Sequence, residues 1–101
     1  MSANTNATIL ARLHRQIQEA EDLLRRLERR KDELKSKQEN TSRSFSERLR
    51  QANGTAEIRL LTHEMNETIR EFLNELSLIN NDIRQVEYSI RTFKQECDRL
   101  F

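Results

Sequence analysis

The sequence predicts an all-α protein, a long antiparallel two-helix coiled-coil hairpin that forms part of a larger helical bundle. Three observations lead there. The 101 residues include one Gly and no Pro, too little turn punctuation for all-β or doubly wound α/β folds. Two mainly apolar stripes recur at steps of three and four, the spacing of one helix face. One strong turn signal, Asn53-Gly54, separates them. A single domain over 1–101 follows.

Helix 1 is expected over about 8–52, with Thr5, Asn6 or Thr8 as candidate caps. Its stripe runs Leu10, Leu13, Ile17, Ala20, Leu24, Leu27, Lys31, Leu34, Gln38, Thr41, Phe45, Leu49 and Ala52. Residues 38–46 are poor in helix formers. Their Ser, Thr and Asn side chains compete for backbone hydrogen bonds, so the helix is open to a break there.

The turn is expected at Asn53, Gly54 and Thr55. Gly54 tolerates the positive φ that ends a helix. Thr55 is the expected cap of helix 2, with Glu57 in its first turn to complement the helix dipole.

Helix 2 is expected over about 56–101. Its stripe is Ile58, Leu61, Met65, Ile69, Phe72, Leu76, Ile79, Ile83, Val86, Ile90, Phe93, Cys97 and Leu100, a regular heptad alternation from Ile69 onward. Each stripe has one stutter, two successive steps of four: Thr41-Phe45-Leu49 and Leu61-Met65-Ile69. Folding at the turn sets Ala52 against Ile58, Leu49 against Leu61, Phe45 against Met65 and Thr41 against Ile69, so the two stutters meet. The rival architecture is one continuous helix in a parallel dimer. It would have to run through Asn53-Gly54, at about 1 kcal/mol for the Gly alone.

Such a hairpin leaves apolar surface over. Ile69, Phe72 and Ile79 oppose the polar Thr41, Gln38 and Lys31, while Leu23, Leu60, Leu73 and Leu78 lie off the stripes. Exposed apolar area marks association surfaces, although the Lys31 and Gln38 stems can cover part of it. The expected partner-facing centre is Ile69, Phe72, Leu73, Leu76 and Ile79. Leu24, Leu27, Ile83 and Val86 are expected in the intramolecular seam. The expected partners are other helical chains, with a hetero-oligomer favoured over a homodimer. Residues 1–52 hold 12 Lys+Arg against 8 Asp+Glu, net +4, and residues 53–101 hold 6 against 9, net −3. Opposite signs favour antiparallel docking of unlike arms.

Other chemistries find little support. Residues 25–37 carry seven cations and three anions. Arg25, Arg26, Arg29 and Arg30 are the candidate anion contacts. Glu28, Asp32 and Glu33 interrupt the run, and it has no aromatic residue for base stacking, so a solvated face partly paired to Glu71, Glu75 or Glu87 is expected. Nucleic acid and membrane are not the expected partners. His14, His63 and Cys97 are too few and too scattered for a structural zinc site, which wants four ligands. No metal, cofactor or catalytic residue is expected, and no enzyme. Cys97 allows no internal disulfide. Neither a signal peptide nor a membrane span is read from the sequence, which favours a cytoplasmic or nuclear protein. The Asn-x-Ser/Thr triplets at Asn6, Asn40, Asn53 and Asn66 are then expected to carry no glycan.

The bend reads Ala52-Asn53-Gly54 and lacks the Trp of the helical-hairpin secretion substrates that carry Trp-x-Gly there. Residues 72–83, Phe-Leu-Asn-Glu-Leu-Ser-Leu-Ile-Asn-Asn-Asp-Ile, and the heptads after them resemble small coiled-coil subunits of lysosome-biogenesis and related trafficking complexes. Kinetochore and cytoskeletal adaptor subunits share that spacing. The unburied apolar stripe and the charge split between the arms lead to the expectation of a non-enzymatic interaction or scaffold subunit of a multi-protein complex. The alternatives are a helical chaperone or adaptor holding a client, and a basic scaffold touching nucleic acid or acidic membrane.

Overall fold

Two helices account for nearly all of the chain. The structure is a computed structural model that describes the backbone of residues 2–100 and the side chains of residues 5–100. Met1 and Phe101, which the expected domain includes, lie outside the described residues. Helix α1 spans Ser2–Gln51 and helix α2 spans Thr55–Arg99, with no strand among the described residues. The fold is an antiparallel helical hairpin.

Helix α1 is unbroken through residues 38–46. The side chains that were expected to compete with the helix bond inside it instead. Thr41 Oγ1 donates to the Lys37 carbonyl at 2.9 Å, and Gln38 Nε2 donates to Ser42 Oγ at 3.3 Å. Phe45 adds a buried aromatic anchor in the same segment. Packing of that ring outweighs the few tenths of a kcal/mol per residue that propensity costs. The helix also begins at Ser2 rather than near Thr8, so Thr5, Asn6 and Thr8 are helical residues and not caps. Extending a formed helix costs far less than nucleating one.

The turn occupies residues 52–54, one residue earlier than expected. Gly54 has φ +93°, and its carbonyl accepts the Ile58 N–H at 3.2 Å. That bond is the first of α2, so Gly54 holds the cap position and Thr55 is already helical. Glu57 reaches back instead, accepting the N–H of Asn53, the residue before the cap, at 3.0 Å on Oε2. The Ala52 N–H closes α1 on the Leu49 carbonyl at 3.3 Å. Arg48 and Arg50 in the last turn of α1, and Glu57 in the first turn of α2, suit the helix dipoles.

The chain divides into two compact units. The terminal unit joins Met1–Arg29 to Asn80–Phe101, and the turn unit is Arg30–Ile79. In the terminal unit Leu13, Ile90 and Cys97 are buried, and Ile17, Leu24, Leu27, Ile83 and Val86 are half-buried between the arms. In the turn unit the buried residues are Phe45, Leu61 and Ile79. No buried side-chain polar atom lacks a hydrogen bond among the described residues.

Gly54→Ala should destabilise the hairpin by about 1–2 kcal/mol in urea unfolding, because φ +93° strains any side chain. The space there is open, so a clash would not be the cause. Leu61→Ala, at a site only 4% exposed, should cost about 2–4 kcal/mol in the same assay.

Candidate interaction surface

With one seam per helix, the backs and flanks of both helices remain open. On α2, Ile58, Leu60, Leu73, Leu78 and Tyr88 are exposed, and on α1 so is Leu23. Leu23, Leu60, Leu73 and Leu78 are the four residues that fall off the heptad stripes. Ile58 is on the stripe, yet its expected partner Ala52 lies beyond the end of α1, and Ile58 is 44% exposed. Tyr88 was not singled out in the sequence. Its place on the outer side of the heptads is the signal that could have found it.

The five residues expected at the partner-facing centre do not form one surface. Ile79 is 5% exposed, so its side chain is spent on the seam. Lys31, the seam position opposite it, is half-buried, as a stem lying along apolar surface would be. Phe72 is half-buried and lines a small cavity between the arms with Leu34, Lys37, Gln38, Thr41, Thr68 and Glu75. That cavity holds about 70 Å³ and has a mixed polar and apolar lining. Thr68 Oγ1 there donates to the Glu64 carbonyl at 2.9 Å. Ile69, Leu73 and Leu76 remain as a ridge at positions i, i+4 and i+7 of α2. Leu73 is 55% exposed, and the other two are half-buried.

In the terminal unit one flank carries two shallow grooves. Ala20 and Leu23 of α1 with Val86, Ser89 and Phe93 of α2 line one, edged by Gln16 and Glu19. Ile9, Leu13 and Leu100 line the other, edged by Glu96 and Arg99. Sequence reading did not single these grooves out. The signal was Leu23 off the stripe beside the small Ala20.

The basic run of α1 is exposed except for half-buried Lys31 and Leu27 and Leu34 on the seam. Arg25 pairs with Asp22 on its own helix. Arg26, Arg29 and Arg30 are in no ion pair, and none reaches Glu71, Glu75 or Glu87. The ion pair joining the arms is Arg48 to Glu64 at 3.6 Å, with Arg48 also 5.3 Å over the Phe45 ring. No group of three or more His, Cys, Asp or Glu among the described residues could hold a metal ion. No helix among them is long and apolar enough to cross a membrane.

Set against protein-family models, curated proteins and solved structures, the chain has no significant match. Its surface must therefore be read on its own chemistry. The described residues include no buried charged or polar side chain. What stands out is apolar, half-covered and spaced for helix contact.

The Arg48–Glu64 pair sits with both side chains about half exposed. A double-mutant cycle on Arg48→Ala and Glu64→Ala should give a coupling energy under about 1 kcal/mol that shrinks with added salt.

Proposed function

We propose that this chain is a non-enzymatic coiled-coil interaction subunit, of the kind used in trafficking, cytoskeletal or kinetochore assemblies. Its partners are other helical chains in the cytoplasm or nucleus. The observation that carries this reading is the Ile69-Leu73-Leu76 ridge. Its centre, Leu73, is 55% exposed, and the flanking Ile69 and Leu76 are half-buried on the same face of α2. Positions i, i+4 and i+7 are the anchors by which an amphipathic helix docks into an apolar groove or a neighbouring helix. Among the described residues each unit buries three side chains well, and a partner would add the second layer that helical domains use to complete a core.

The test is capture of partner chains by the full-length tagged protein from cell extract, read by mass spectrometry and repeated with purified components. Leu73→Asp should reduce capture at least about tenfold, because a buried carboxylate would have no counter-charge at the contact. Helicity by circular dichroism should be unchanged, since Leu73 is exposed in the hairpin. Phe72 is a poorer choice, because it is half-buried between the arms. Arg29→Glu with Arg30→Glu should leave capture intact. Capture that survives Leu73→Asp, or that is lost only with the two arginines, would refute the reading.

A further inference from the structure

The two flanks of the terminal unit differ. One is lined by Glu21, Arg25 and Glu28 of α1 and Arg84, Glu87 and Arg91 of α2, which suits water. The other holds the two grooves, where Ile9, Ala20, Leu23, Val86, Phe93 and Leu100 come to the surface. Leu23 on that flank is 40% exposed. An apolar groove rimmed by charge on only one side of a helix pair is a contact face.

The charges on its rim indicate what covers it. Glu19 and Ser89 edge the same groove from opposite arms. One heptad either side of Glu19 stand Arg12 and Arg26, and one heptad either side of Ser89 stand Asp82 and Glu96. All four are exposed, and none is in an ion pair. The α1 rim is thus basic at both ends and the α2 rim acidic at both ends, with Glu19 and Arg99 as the exceptions.

We infer that this flank of the terminal unit is the contact face for a second copy of the same chain, about a twofold axis running along the groove. That axis lays α1 of one copy antiparallel to α2 of the other. Arg12 then faces the second copy's Glu96, and Arg26 faces its Asp82, each pair occurring twice. A twofold axis across the groove would set Arg12 against the second copy's Arg26 and Asp82 against its Glu96. The contacts among these four charges would then all be repulsive, which costs more than attraction gains and selects the first arrangement. The result is four helices around an apolar centre of Leu23, Val86 and Phe93 from both copies, each neighbour antiparallel.

The inference shares with the proposed function the view that open apolar faces serve association. It uses a different unit and different residues, so the two fail separately. Sedimentation equilibrium of the full chain, up to about 100 μM, should show a reversible dimer. Leu23→Asp should weaken it about tenfold or more while helicity is kept. Arg26→Glu and Asp82→Arg, each made alone, should also weaken it, because each sets like charges together twice. An equimolar mixture of those two variants should restore the dimer, since the altered residues then meet only as Glu with Arg and the native ones as Arg with Asp.

That rescue cannot arise from pairing within one hairpin, which each variant spoils in its own chain. A monomeric wild-type chain, a dimer indifferent to Leu23→Asp, or a mixture no more dimeric than its components would each overturn the inference. None of these outcomes bears on capture through Leu73. Conversely, a dimer whose Leu73→Asp variant still captures every partner would uphold this inference and remove the other reading.

Discussion

Everything in this hairpin depends on a single line of apolar contact between α1 and α2. Two helices can bury one stripe each and no more. In the terminal unit that line rests on Leu13, Ile90 and Cys97, and in the turn unit on Phe45, Leu61 and Ile79. Electrostatics adds little across the seam, where one ion pair, Arg48 to Glu64, joins the arms among the described residues. At about half exposure its strength is that of a surface pair. Register is therefore set by side-chain fit and by the turn.

The same limit explains the middle of the turn unit. Where the stripe turns polar, at Gln38 and Thr41, packing leaves a cavity beside Phe72. The helix is held through that segment by its own side chains, with Thr41 and Gln38 bonded one turn away. A sequence stretch that reads as a helix breaker is thus a helix with its polar groups satisfied locally. Phe45 and Leu61, close by, supply the burial that keeps it so.

A thin seam also leaves apolar side chains uncovered. Residues that a thicker domain would hide lie in the open here: Leu73 on a ridge of α2, and Leu23 beside a groove of the terminal unit. The first is flanked by half-buried apolar neighbours on its own helix, and the second by charges of opposite sign on opposite arms. That difference is why we propose another chain's groove for the ridge and a second copy for the grooved face.

The sequence by itself determined the two helices, the bend at Gly54 and the residues left off the stripes. These are consequences of local spacing and of backbone freedom, which a linear pattern carries in full. Leu60, Leu73 and Leu78 were legible as exposed because a side chain off the heptad cannot turn inward. Other features were settled only in three dimensions. Thr55 was read as a cap, but Gly54's carbonyl takes the Ile58 N–H, so the helix starts one residue sooner. Ile79 was read as partner-facing, but it is buried in the seam, because a long Lys stem can lie along apolar surface as an apolar side chain would. The grooves beside Leu23 need both arms to exist at all. Spacing along one chain decides which face a residue occupies, and only the opposing helix decides whether that face is covered.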